Sequence, residues 1–123
     1  MQKFTRRLAL TTLSSLALLG AGEAHAQAPY PSQPIKFIVP YPAGGATDAL
    51  ARMVAQKMQD SWQQTVVVEN KPGAGGTIGN NQVAKGPADG YTVLFSIVAL
   101  VQQIPLMKLP YDPIKDFAPI SRV

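Results

Sequence analysis

A chain of 123 residues with 46% hydrophobic and 15% charged residues can bury one small core, which excludes a multidomain enzyme and wholesale disorder despite 11 prolines and 10 glycines. The formal charge of +4 is half due to a leader: without Lys3, Arg6, Arg7 and Glu23, residues 27–123 carry +2, on basic residues scattered singly, which excludes a phosphate-tracking nucleic-acid surface. Cysteine is absent and the one histidine is His25, so disulfides, Cys/His metal centres and histidine-dependent catalysis are excluded beyond residue 26, and no cofactor or metal is expected.

Residues 1–26 have the layout of a secretory signal peptide. Met1 to Arg7 is short and positive, Leu8 to Gly20 is apolar, and Ala24-His25-Ala26 supplies the small residues read at cleavage, predicted before Gln27. The apolar run is too short, and too interrupted by Thr11, Thr12, Ser14 and Ser15, to span a bilayer. The expected compartment is a periplasm, where a cysteine-free chain is at home.

Three prolines between Gln27 and Pro34 make an extended lead-in. Ile35 to Val39 is a β-branched and aromatic run stopped by Pro40, as in a parallel strand covered on both faces. The loop Pro40-Tyr41-Pro42-Ala43-Gly44-Gly45 follows. From Thr47 the period changes: Leu50, Met53, Val54 and Met58 mark the apolar face of a helix ending near Trp62, with Thr47 as N-cap and Asp48 in the first turn.

Val66 to Glu69 is a second strand, Asn70 to Gly76 a second glycine loop, Thr77 to Lys85 a shorter helix, and Tyr91 to Phe95 a third strand. This order is that of consecutive βαβ units in an α/β sheet. Ser96 to Leu109 reads as a loop and short helix interrupted at Pro105, Pro110 to Pro113 as a turn, and Phe117 to Val123 as the start of a further extended segment. Three strands and an unfinished fourth leave sheet edges uncovered, so the chain is expected to be the first part of a longer protein.

In such a sheet, ligands bind beyond the carboxyl ends of the strands. Gly44, Gly45, Ala46 and Thr47 bring small residues to a helix start, where a carboxylate or phosphate can approach backbone amides with the Thr47 hydroxyl as an added donor. The same residues serve equally as a turn and a helix cap. Asp48 opposes a second anion and suits helix stabilisation, water positioning or acceptance of an amino group. Tyr41 stands between ligand stacking and packing, whereas Trp62 reads as core or helix-end packing. The run Gly73-Ala74-Gly75-Gly76-Thr77-Ile78 lacks the third glycine of the dinucleotide fingerprint; no P-loop ending and no familiar serine-nucleophile motif is present.

Five blocks together carry a resemblance: Tyr30-Pro31-Ser32-Gln33-Pro34-Ile35; Ile38 to Asp48; Val67 to Gly76; Ala88-Asp89-Gly90-Tyr91-Thr92; and Leu109 to Pro113 with Lys115 to Pro119. In these the sequence resembles the Bug or TctC-type extracytoplasmic solute-binding proteins of tripartite tricarboxylate transporters. The resemblance implies a periplasmic, two-lobed clamshell α/β binding protein of type II, not an enzyme, working as a monomer with a small carboxylate ligand and with membrane transporter subunits as partners. Residues 27–123 then form the N-terminal part of lobe 1, ending near the crossover to lobe 2.

By position, Tyr41, Gly44, Gly45, Ala46, Thr47 and Asp48 form one arm around the ligand carboxylate, and the segment starting at Ser96 forms the second. Members usually place small or hydroxyl residues in that second segment, where this chain has Ser96-Ile97-Val98-Ala99-Leu100. Asn70 and the second glycine loop match as structure near the cleft. Two competing readings are a fragment of an α/β enzyme that takes a phosphate-bearing substrate, and a truncated remnant without function.

Overall fold

The computed structural model describes residues 29–123. The expected signal peptide and its cleavage before Gln27 lie outside the described residues. The elements run β1 (Ile35–Val39), α1 (Ala46–Trp62), β2 (Val66–Asn70), a 3-10 turn (Ala74–Gly76), α2 (Thr77–Ala84), β3 (Thr92–Leu94) and α3 (Ala99–Gln102). The strands form one parallel sheet in the order β2-β1-β3, with Ile35 opposite Val66, Val39 opposite Asn70, and Phe37 opposite Val93. The expected βαβ succession is therefore present.

β1 lies in the middle because it is the strand best able to lose water on both faces. Ile35, Phe37 and Val39 point to one face and join Ala51, Ala55 and Val66 in the core, with Val54, Met58, Val68, Tyr91, Val93 and Phe95 packed around them. Ile38, on the opposite face, is fully buried as well. The one exposed position of the strand, Lys36, reaches Glu69 of the neighbouring β2 at 3.1 Å, and that contact holds the Glu69 carboxyl below its ordinary range.

The apolar face of α1 is the expected one only in part: Val54 and Met58 pack against the core. Leu50 and Met53 are 46% and 63% exposed, whereas Ala51 and Ala55 are the residues buried against the sheet. The reason lies at the start of the helix. Asp48 is buried with Ala51 and Ala55 along one stripe, so its inward-pointing carboxylate fixes the rotation of the helix, and two alanines let the backbone approach β1 closely. Thr47 is also not the N-cap. That position falls to Gly45, in extended conformation, without a side-chain cap. Trp62 is not core: it is 44% exposed and meets the Tyr30 ring edge-on at 6.3 Å, at the end of the helix.

Beyond Phe95, the chain is held to the sheet layer by side-chain contacts rather than by strand pairing. No fourth strand forms among the described residues, and the extended segment expected over 117–123 stays unpaired. Tyr111 is buried, stacks edge-on with Phe117 at 5.7 Å, and its hydroxyl accepts a 2.9 Å hydrogen bond from Asn80 Nδ2 of α2. Asn80 is 1% exposed and its Oδ1 has no partner among the described residues, so this one bond carries the polar load of the contact. Tyr111→Phe is expected to cost about 1–2 kcal/mol in urea denaturation, because Asn80 Nδ2 then loses its partner while buried. Adding Asn80→Leu should recover part of that loss; a double variant weaker than the single would contradict this account.

Candidate functional site

Because the strands are parallel, the loops that follow β1, β2 and β3 emerge at one edge of the sheet. The first, residues 40–45, is solvent-exposed from Pro42 to Gly45 and turns through Gly44 at a φ of +83°, a conformation glycine adopts without strain. It delivers the chain into α1. The first intrahelical bond is Ala49 N–H to Gly45 O at 2.9 Å. The N–H groups of Gly45, Ala46, Thr47 and Asp48 have no acceptor among the described residues, which is the ordinary condition of a helix start left open to solvent.

The Asp48 carboxylate faces inward, 4% exposed, and is fully engaged. Oδ2 accepts from Gly44 N at 2.8 Å and from Arg52 Nε at 3.1 Å, while Oδ1 accepts from Asn70 Nδ2 at 2.9 Å. Asn70 also donates to Tyr41 O at 3.2 Å and accepts from an Arg52 terminal nitrogen at 3.1 Å. One carboxylate thus ties together the glycine loop, the first turns of α1 and the end of β2. The Gly44 N–H is spent inside the protein, and so is the Arg52 guanidinium. Asn70 takes the structural place expected of it.

Those contacts set the acid chemistry of Asp48. Hydrogen bonds from Arg52, from the Gly44 backbone and from Asn70 outweigh the opposing effect of burial and lower its pKa from 3.8 to about 2. The folded form therefore favours the ionised carboxylate. Its stabilising contribution is complete above about pH 4 and disappears as pH falls through 2. A series of thermal melts across that window should show stability declining, with the decline shallower in Asp48→Asn; superimposable profiles would show that the network does not respond to this proton.

Tyr41 and Ser96 bring the two expected arms together. The half-buried Tyr41 hydroxyl lies 3.3 Å from Ser96 Oγ, joining the loop after β1 to the segment after β3. The second glycine loop closes on the same tyrosine, since a methyl group built on Gly76 would lie 3.5 Å from Tyr41 Cε1 and from Pro40 Cβ. Sequence reading missed Gln103. It is 8% exposed, donates from Nε2 to Gly75 O at 2.7 Å and lies 3.3 Å from the Thr77 hydroxyl through Oε1. No motif marks it, because its partners lie 26 and 28 residues away.

Of the expected site residues, Tyr41, Gly45, Ala46, Thr47 and Ser96 thus gather at one exposed edge, and Gly44 and Asp48 stand behind them as the lock that shapes the loop. No group of acidic, His or Cys side chains suited to a metal ion occurs among the described residues, and none of their helices is long and apolar enough to cross a membrane. The chemistry offered at this edge is hydrogen-bond donation from amides and hydroxyls.

Residues 50–123 match the family model of the tripartite tricarboxylate transporter family receptor, TctC. The protein BugT of Bordetella pertussis is 48% identical over 97 residues, covering 76% of this chain and 30% of BugT. Among solved structures, the periplasmic binding protein BugD is 54% identical with a TM-score of 0.51, covering 53% of this chain and 22% of BugD. MatC from Rhodopseudomonas palustris, with bound malate, is 34% identical with a TM-score of 0.63, covering 73% of this chain and 31% of MatC. The chain spans about a third or less of the length of these relatives. The parallel α/β sheet described above is shared with the corresponding part of these periplasmic solute-binding folds. By the match over 50–123, the chain belongs to the TctC family of tripartite tricarboxylate transporter receptors.

Proposed function

We propose that this chain carries one wall of the ligand cleft of an exported solute-binding receptor that captures a small carboxylate for a tripartite tricarboxylate-type membrane transporter. The observation that carries this reading is the row of N–H groups from Gly45 to Asp48 at the start of α1, which have no acceptor among the described residues. Such a row concentrates positive potential and directs donors at an anion without a charged side chain. The nearest cation, Arg52, is held by Asp48 and Asn70, so the amides rather than a guanidinium face the ligand. Tyr41 and Ser96 add hydroxyls beside them. Family membership and the malate held by MatC favour a carboxylate over other anions.

In this reading residues 1–26 direct export to the periplasm and are removed, and the receptor works as a monomer, with no cofactor and no chemistry of its own. A cleft buries a small ligand between two walls, and the single wall here sets the expected affinity of the chain in the weak range. The test is therefore a titration that reads weak binding directly. The full chain, labelled for amide NMR, is titrated with acetate, malate, adipate and citrate, with inorganic phosphate and chloride as comparators at matched ionic strength. Selective, saturable shifts at Gly45 to Asp48 with a carboxylate support the reading. Shifts from phosphate alone favour a phosphate ligand instead, and the absence of any selective shift rejects the site.

A further inference from the structure

We propose that Gln103 is a positioning residue that couples the second glycine loop to the Tyr41–Ser96 pair, so that the three loops at the carboxyl edge of the sheet move as one body. The geometry is a closed circuit. From Tyr41 a hydroxyl contact of 3.3 Å leads to Ser96. Seven residues further along, through α3, Gln103 turns inward and donates to Gly75 O at 2.7 Å, with its Oε1 3.3 Å from Thr77 Oγ1. Gly76, between those two partners, lies against the Tyr41 ring and closes the circuit.

Each link joins a different pair of loops: those at Ser96 and Gln103 are hydrogen bonds, and the one between Gly76 and the Tyr41 ring is close packing. Gln103 is 8% exposed and both of its polar ends are satisfied, so an apolar side chain in its place leaves Gly75 O and the Thr77 hydroxyl without their partner. Gly75 leaves no slack. A methyl group there would stand 2.8 Å from Gln103 Nε2, and its φ of +66° is one that L-residues rarely adopt. α3 has four residues and no side-chain cap, so it has little capacity to hold its own position. The amide of Gln103 is what anchors it to the layer formed by α2 and β1. Ser96 lies at the front of the segment, one residue beyond Phe95, whose N–H is bound to Ile38 O at 2.9 Å, and Gln103 holds the far end of the same segment.

The coupling itself is independent of any ligand, whereas its effect on affinity rests on the carboxylate reading above; the experiment separates the two. The full chain is compared with Gln103→Leu, Gln103→Glu, Thr77→Val, Tyr41→Phe and the Gln103→Leu/Tyr41→Phe double variant. Amide hydrogen exchange is measured at Gly76 and at Leu100, whose N–H is bound to Ile97 O at 3.0 Å in the segment that starts at Ser96, with Phe37 and Ile38 of β1 as internal references. Gln103→Leu should speed exchange at both Gly76 and Leu100 about tenfold while the β1 references hold, since a released segment opens locally before the sheet does. Gln103→Glu keeps the acceptor for Thr77 and loses the donor to Gly75 O, and should behave as Gln103→Leu does at Gly75 and Gly76. Thr77→Val removes one link and should give the same pattern at smaller amplitude, which decides the matter if Gln103→Leu does not fold.

An effect confined to Gly75, Gly76 and Thr77, with Leu100 unchanged, would overturn the proposal, and so would acceleration that is uniform over the chain. In the ligand arm, malate and adipate serve as probes. If wild type binds either, Gln103→Leu should weaken it at least threefold and the double variant should fall short of the product of the two singles, because both act through one circuit. Multiplicative losses would count against coupling. If wild type binds neither probe, the exchange data alone decide the role of Gln103, and the carboxylate reading is decided by the wider titration above.

Discussion

Gly79→Ala is expected to destabilise the chain by about 1–2 kcal/mol, the reverse of what the same substitution does in an ordinary helix interior. There, alanine gains about 1 kcal/mol over glycine through backbone entropy. Gly79 lies inside α2 and is buried against the end of β1. A methyl group on it would stand 2.8 Å from Pro40 Cβ, 2.9 Å from Lys71 O and 3.0 Å from Pro40 Cα. None of these atoms belongs to a side chain that can swing away: one is a ring carbon, one a backbone carbonyl, and one a backbone carbon directly after the central strand. Relief requires α2 to move off the sheet, and overpacking of this kind costs about 1–3 kcal/mol, more than the helix gain. Urea denaturation of the two proteins decides it; an alanine variant as stable as the parent would mean that α2 is free to shift. The substitution also presses on Pro40, whose neighbour Tyr41 belongs to the ligand edge, so the amide spectrum of the first loop should change with it.

The parts of the fold that could be read from the sequence are those set by local chemistry. Ile35 to Val39 announces a strand because five residues in a row favour extended backbone and Pro40 ends them, and the structure has β1 over those same residues. The first glycine loop was legible for the same reason, and the second in part, since Asn70 ends β2 and Ala74–Gly76 form a 3-10 turn within it. What escaped was decided by contacts between distant residues. The rotation of α1 is fixed by a buried carboxylate with partners at Gly44, Arg52 and Asn70, and not by the larger side chains Leu50 and Met53 that dominate a hydrophobic pattern. Gln103 and Asn80 look like surface residues by composition. Each is buried with its amide nitrogen held by a distant acceptor, Gly75 O or the Tyr111 hydroxyl. Within the candidate site, sequence grouped residues that the structure brings to one edge, without separating those that face outward from those that hold the loop. That division appears only once Asp48 is seen to take the Gly44 N–H.

Ala46→Pro is expected to weaken carboxylate binding about 10- to 100-fold while leaving stability within about 0.5 kcal/mol. Ala46 is the first residue of α1 and is exposed. Proline is favoured at that position, because its missing N–H has no helical partner there and its fixed φ suits the helix. The residue before it must be extended, and Gly45 already has φ −78° and ψ 170°. The substitution therefore deletes one candidate ligand donor with little disturbance of the fold. A hydrogen bond to a charged group is worth about 1.5–3 kcal/mol, and each 1.4 kcal/mol is tenfold in affinity. Ala46→Gly keeps the N–H and should bind within about twofold of the parent on the same grounds. Asp48→Asn supplies the complementary case: it loosens the lock behind the loop, so its loss of binding should come with a loss of stability at neutral pH. Amide titration with malate or adipate, run beside thermal melts, distinguishes the two. A proline variant that folds as the parent does and still shows the parent's saturable shifts at Gly45, Thr47 and Asp48 would exclude the Ala46 amide from the grip and move the anion site away from the start of α1.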